Sequence, residues 1–174
     1  MTVYFPEATP AEGAVGVKAI AAVADATAAK LATEVNAATT VDLTCFLRAW
    51  NPDLTVNTGT APPRLCRAAE FPREGRTQYP AIELRYVYDP QGDDMDPDNK
   101  AKATLTQGTV TELMIRKGPD ADEDAYAVGQ KYELWKGRVG KQRRVTSSDD
   151  EFAEFEIAQN FYPVAEPIYG VIVA

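Results

Sequence analysis

The sequence contains no histidine. That removes the commonest general base and the commonest metal ligand, so Ser/His/Asp triads and His-based zinc sites are excluded. Cysteine is nearly absent too, with only Cys45 and Cys66 in 174 residues. A secreted disulfide scaffold carries more, and a thiolate metal site needs closer spacing. Both are expected to be small buried apolar residues. Long hydrophobic runs are missing as well. The stretch "AEGAVGVKAIAAVADATAAKLA" is interrupted by Lys18, Asp25 and Lys30, with acid nearby at Glu7 and Glu12. A secretory signal wants a basic start and an unbroken apolar segment. No membrane insertion is expected, and the chain should be made and kept in a cytoplasm, or leave it other than by secretion. Positive charge is in deficit: 18 Lys and Arg stand against 26 Asp and Glu, a formal net charge of -8. Such a surface repels a polyanion at range, which argues against general phosphate binding.

What is present is ordinary globular composition, 45% hydrophobic and 25% charged. The length suits one domain, or one domain plus an arm, and is enough to bury a core without metal or disulfide staples. The first ~25 residues are rich in Ala, Gly and Pro, which reads as an arm or linker. The expected division is a flexible arm over 1–26 and a folded domain over 27–174.

Thr27 can cap a short amphipathic helix in "TAAKLATEVNAA", with Leu31 and Val35 on one face. "TTVDLTCFLRAW" then alternates as a half-buried strand. "NPDLTVNTGTAPP" reads as a loop and "RLCRA" as a short strand. "AIELRYVYD" is a stronger strand, with Ile82, Leu84, Tyr86 and Tyr88 on one face. "PQGDDMDPDN" is an exposed turn, and "DNKAKATLTQG" reads as a helix of two or three turns closed by Gly108. "TELMIRKG", "KYELWKGRV", "EFEIAQNFYPV" and "PIYGVIVA" supply further strands. The expected fold class is mainly β, a β-sandwich or open barrel with one packed α-helix and a short N-terminal helix.

Three constellations invite chemistry. Asp94, Asp96 and Asp98 have the alternate spacing with which a calcium loop begins. Asn99, however, stands where that loop needs glycine, and Leu105 where it needs a bidentate Glu, so a solvated acidic turn is the better reading. Glu83, Glu112, Glu133, Glu154 and Glu156 could pair as acid and base. Each lies on an alternating strand opposite the large apolar residues, so they read as a hydrophilic sheet face. No catalytic residue, metal or cofactor is expected. The basic strip "KGRVGKQRR" holds Lys136, Arg138, Lys141, Arg143 and Arg144. It lacks base-stacking aromatics, and acid follows within five residues of Arg144. Exposed ion pairs contribute only ~0–1 kcal/mol each but select partners and register well. The strip, with Asp94 and Asp96, is therefore expected to lie at an inter-subunit contact.

The succession "AAKLATEVNAATTVDLTCFLRAW", "LCRAAEFPREGRTQYPAIELRYVYD", "ATLTQGTVTELMIRKG", "GQKYELWKGRVGKQRR" and "EFEIAQNFYPVAEPIYGVIVA" resembles the major tail tube protein of long-tailed (siphovirus-type) bacteriophages, especially those of actinobacterial hosts. The resemblance implies a structural virion protein and not an enzyme. It implies rings of six whose inner sheets join into one β-barrel lumen, and rings that stack into a conduit for DNA ejection. The implied partners are other copies and the tape measure, tail tip and tail terminator proteins, with DNA passing without sequence-specific binding. The implied location is the phage tail, after synthesis in the host cytoplasm. Within that frame, Asp42, Thr44, Glu154 and Glu156 are expected to face the lumen, because Phe155, Ile157 and Phe161 would take the core face of their strand. A β-sandwich module that binds carbohydrate or protein is the alternative, with Tyr79, Tyr86, Tyr88 and Trp135 as an aromatic platform.

Overall fold

The computed structural model describes residues 13–48, 50–52, 55–61, 71–119, 121, 125–146 and 154–174. Its strands are β1 (Val15–Ile20), β2 (Val41–Asp42), β3 (Thr55–Ala61), β4 (Phe71–Gln78), β5 (Ile82–Val87), β6 (Val110–Lys117), β7 (Lys131–Val139), β8 (Arg143–Thr146), β9 (Phe155–Pro163) and β10 (Ile168–Val171). One antiparallel sheet runs β2-β1-β6-β7-β9-β5, with β10 paired to β7 and β8 paired to β9. Among the described residues, β3 and β4 pair with each other alone, as a separate ribbon.

The sheet curls because β7 changes partners along its length. Leu134 pairs with Ile168 of β10, whereas Val139 pairs with Phe161 of β9. Past the bend at Gly140 the chain returns to β9 as β8, where Val145 opposes Glu156. Gly137 permits this turn of the sheet, since the Phe161 ring occupies the space a side chain would need there.

Alternation on β1, β6 and β7 then feeds two cores, one on each face. Val17, Leu113, Ile115, Trp135 and Val139 join Leu84, Tyr86, Ile157 and Phe161 in the larger one. Ile20, Met114, Tyr132 and Leu134 join Val35 and Ile172 in the smaller. The arrangement is mainly β and sandwich-like, as expected. A short helix, α1 (Lys100–Thr104), closes the larger core with Ala101 and with Leu105 just beyond it. It follows a single tight turn at Pro97–Asn99, and Gly108 ends the connection with φ +84.

Five expectations need correction. Residues 13–26, read from composition as arm, contain β1, which lies between β2 and β6. Residues 1–12 of the expected arm lie outside the described residues. The N-terminal helix is one wide turn, Leu31–Val35, in which Val35 and Asn36 reach back to the carbonyls of Lys30 and Leu31. It cannot extend backwards, because Leu31 donates to Val173 O beside an isolated bridge of Lys30 with Val173, and Thr27 bonds Asp25 instead of capping. The strand expected over Thr39–Trp50 stops at Asp42, whose side chain accepts from Thr44 N and starts a turn. That turn leaves Cys45 exposed, not buried; Cys66 and the strand expected at "RLCRA" lie outside the described residues. Finally, much of the loop expected at "NPDLTVNTGTAPP" is β3 of the ribbon.

Candidate inter-subunit surfaces

Among the described residues, the ribbon is poorly covered. Thr55 pairs with Gln78 and Val56 with Thr77, and a register shift follows between Val56 and Thr58. Thr55–Gly59 and Glu74–Gln78 are exposed on both faces. A two-stranded ribbon with neither face packed is marginal in water. At its root lies an open groove of about 590 Å³, lined by Arg76–Pro80 on one side and Pro163–Glu166 on the other. An aromatic ladder runs from the core to this root. Trp50 meets Phe161 at 6.2 Å and Trp135 at 5.7 Å, and Trp135 meets Tyr79 at 6.2 Å. Desolvation raises the Tyr79 phenol above its ordinary value, and the Glu166 carboxylate adds to the effect. Beside it Tyr169 is 69% exposed and Val164 55% exposed, so wet apolar surface gathers at the root of the ribbon.

The expected basic strip is real as a surface but is partly neutralised within the chain. Lys136 meets Glu112 at 2.8 Å, across the register pair that joins β7 to β6. The hydrogen bond it donates to Glu112 raises the Lys136 ammonium above its usual value. Arg143 meets Glu83 at 2.9 Å. Arg85 and then Arg143 hold the Glu83 carboxyl below the ordinary range. Arg138 donates to Gly108 O. Lys141 and Arg144 are exposed on the bend and on β8.

Asp94 and Asp96 sit on a turn that is exposed but firmly tied. Lys102 of α1 meets Asp94 at 2.6 Å, and Asp96 accepts from Asp93 N. Asn99, fully buried, accepts from Asp89 N and directs its amide nitrogen at the carbonyls of Asp89, Gly92 and Asp93. The residue that spoils the calcium pattern is thus the staple of the turn, and Leu105, at the other mismatched position, is core.

Among the residues expected to face a lumen, Asp42 is exposed, and Thr44 is half-buried with Oγ1 accepting from Val17 N. Glu154 is about half exposed and pairs with Arg48. Glu156 is only 3% exposed and meets Arg48 Nε at 3.0 Å, while Phe155 is 58% exposed. This reverses the expected faces at the start of β9. The cause is the turn after β2, which brings residues 46–48 across the edge of β5 through Arg48 N to Arg85 O and Val87 N to Phe46 O. Arg48 then lies over Glu156, which strand alternation cannot register.

The other carboxylates considered for acid–base work also face cations. Glu133 meets Lys117 at 2.6 Å, and Glu83 and Glu112 are paired as described. Such pairing suits a structural surface better than proton transfer, which needs a carboxyl kept neutral by burial. Among the described residues, no group of three or more His, Cys, Asp or Glu is placed to hold a metal ion. Of the aromatic platform considered for a binding module, Tyr86, Tyr88 and Trp135 are buried in the larger core and only Tyr79 reaches the groove.

Sequence reasoning missed the ribbon as an interaction element. A usable signal was the β-branched run Thr55, Val56, Thr58 and Thr60, which favours strand even without an apolar face. Compared with known proteins, the chain matches a family model described as "Phage tail tube protein" over residues 2–174. No curated protein matches it.

Proposed function

The chain belongs to the phage tail tube protein family, and on that premise we propose that it assembles into rings of six that stack as the DNA conduit of a long-tailed phage. A structural role in the virion tail follows from the family itself. The observation that carries the finer reading is the β3–β4 ribbon, exposed on both faces and paired with no other strand. Unpaired strand edges and uncovered ribbon faces are aggregation hazards in a lone subunit, and a partner removes them. A ribbon that contacts a different surface of the next copy makes a head-to-tail contact, which closes into a ring when the rotation closes.

The wet apolar residues Val164 and Tyr169 and the exposed charges of Lys141, Arg144 and Asp96 are assigned to contacts between copies in this reading. Asp42 and Glu154 are assigned to the wetted acidic wall of the bore, where they would repel DNA phosphates within a Debye length of ~10 Å in 0.1 M salt. The tape measure, tail tip and tail terminator proteins are its further partners, and the quoted sequence segments favour an actinobacterial host, in whose cytoplasm the chain is made. The binding-module alternative loses support, since three of its four platform aromatics are core.

Purified protein examined across a concentration series by sedimentation velocity and negative-stain electron microscopy tests the proposal. Six-fold rings or tubes are the expected outcome. A chain that stays monomeric at every concentration and salt would sink it.

A further inference from the structure

One stretch of chain meets both ends of the main sheet. Val41 and Asp42 pair with β1 as β2, and Leu43 N donates to Val17 O just beyond. The chain then turns and lays residues 46–48 along the outer edge of β5, the strand that ends the sheet order. Leu47 bridges Tyr86 in antiparallel sense. Arg48 N donates to Arg85 O at 2.9 Å, and Val87 N donates to Phe46 O at 3.1 Å.

We propose that residues 46–48 are an autoinhibitory guard, which covers the β5 edge in the free subunit and is displaced when a strand of a second copy pairs there. This inference rests on the reading of the chain as a self-assembling tube subunit and specifies what holds a free copy back.

Three observations support it. The guard is short: it holds β5 at one bridge, whereas β9 pairs with β5 along its whole length from Ile82 to Val87. It is fastened more by charge than by burial. Phe46 and Leu47 are only half-buried and Cys45 and Arg48 are exposed, while the Arg48 guanidinium pairs with Glu154 and Glu156. Leu43, fully buried, fixes the root, so the guard can swing away and leave the core closed. Finally, the edge offers a place to begin. The pleat turns alternate residues to the same side, so the Glu83 backbone faces outward like those of Arg85 and Val87. Its N–H and C=O have no hydrogen-bond partner among the described residues. Unpaired edge groups of this kind template a further strand. A strand that pairs first at Glu83 can displace the guard stepwise, replacing each backbone bond given up with an equivalent one.

The bridge of Leu47 with Tyr86 sets Phe46 opposite Val87, which suits a disulfide lock. The experiment uses full-length Cys45→Ser/Cys66→Ser chains with and without Phe46→Cys/Val87→Cys, each oxidised and reduced. Sedimentation velocity and electron microscopy follow assembly across a concentration series, with circular dichroism as the folding control. The locked form should need at least about tenfold more protein to assemble than the same chain after reduction, because apparent affinity falls with the fraction of open subunits. The serine background should assemble alike in both conditions. Equal assembly of locked and reduced forms would overturn the guard and make the segment a permanent edge cover, with the tube reading intact. Failure of wild type and the serine background to assemble at any concentration would overturn both. Hydrogen exchange on wild type supplies an arm that needs no engineered cysteine. Arg48 N–H, held by Arg85 O in the free subunit, should exchange faster in the tube while β6 and β7 do not. Protection of Arg48 that is kept or raised in the tube would overturn the proposal.

Discussion

Arg48 Nε lies 3.0 Å from Glu156 Oε1, a pair 108 residues apart in sequence that joins the turn after β2 to β9. Arg48 also pairs with Glu154, so one guanidinium serves a buried carboxylate and a half-exposed one. The two glutamates, alike to a pattern reader, should respond very differently to change. Glu156→Lys buries a second cation beside Arg48, and because the Arg48 side chain is itself about half exposed the loss should fall at or below the lower end of the ~3–5 kcal/mol for a fully buried pair. That is a large share of a typical domain stability of ~5–15 kcal/mol. Glu154→Lys should cost under ~1 kcal/mol, as for an exposed pair. Urea unfolding of the two single variants measures the contrast. Equal, small losses would mean that Glu156 is solvated after all. Only Glu154→Lys is then suited to testing wall charge, by the rate of genome ejection from virions that carry it.

Acid should loosen the wide turn at Leu31–Val35 before it unfolds the sheet. Glu34 accepts from Ala24 N at 2.7 Å and Lys30 N at 2.6 Å. These bonds, Ala24 first, hold its carboxyl below the usual value of 4.5. A depressed carboxyl stabilises the fold above its unfolded pKa, and that stability is lost as pH falls through the lower folded value. Because Glu34 is largely solvated, the contribution should be about 1 kcal/mol, below the range for buried charged hydrogen bonds. Glu34→Gln should therefore lower Tm by a constant amount from neutral pH down to about pH 5.5. The gap to wild type should close as pH drops below 4.5, the unperturbed value for this carboxyl. A gap that persists unchanged at pH 3 would show that charge is not what the two amides recognise.

The acidic turn between β5 and α1 should owe its order to one side chain. Asn99→Ala removes an amide that engages one N–H and three carbonyls of Asp89–Asp93. The loss should be ~1–2 kcal/mol, because one N–H and three partly exposed carbonyls lose a shared partner together. Hydrogen exchange should quicken at Asp89, whose N–H donates to Asn99, well before the strands open. Protection that is unchanged in the variant would mean that the Lys102–Asp94 pair alone suffices.

How much of this was legible beforehand depended on whether an element had an apolar face. Strands β5, β6, β7 and β9 showed themselves because Ile82, Leu84 and Tyr86, or Trp135 and Val139, repeat at the pleat period and are buried. In β1 the apolar residues are small and Gly16 interrupts them, so the segment looked like a linker. The structure fills that gap from outside, with the Tyr126 hydroxyl 2.8 Å from where a Cβ at Gly16 would stand. The ribbon was hidden for the opposite reason: it buries neither face, so no alternation exists to read. Charges were legible as clusters but not as pairs. Arg143 meets Glu83 from 60 residues away, and Arg48 meets Glu156 from 108. Such encounters belong to topology, which the one-dimensional pattern does not carry.

The attachment of α1 to the sheet should hinge on a buried amide between two strands and a helix. Gln159 of β9 is fully buried, and its Oε1 accepts from the Tyr86 hydroxyl of β5 at 2.8 Å. Its Nε2 donates to Leu105 O after α1 at 3.0 Å and to Gly140 O at the β7–β8 bend at 2.8 Å. Gln142 reinforces the joint by donating to Lys102 O and Leu105 O. Burial raises the Tyr86 phenol far above its ordinary value, so it stays a donor throughout any accessible pH. Tyr86→Phe removes that donor, keeps the ring in the core and leaves one buried acceptor unmet, at ~1–2 kcal/mol. Gln159→Leu is nearly isosteric but strands the phenol and the Gly140 carbonyl and leaves Leu105 O with Gln142 alone, which should cost ~2–3 kcal/mol. In the double variant the phenol is no longer there to be stranded, so the combined loss should fall short of the sum of the two single losses. Urea unfolding of the four proteins gives this coupling directly. Strict additivity would mean that Tyr86 and Gln159 act independently, and that α1 is held by the packing of Ala101 and Leu105 alone.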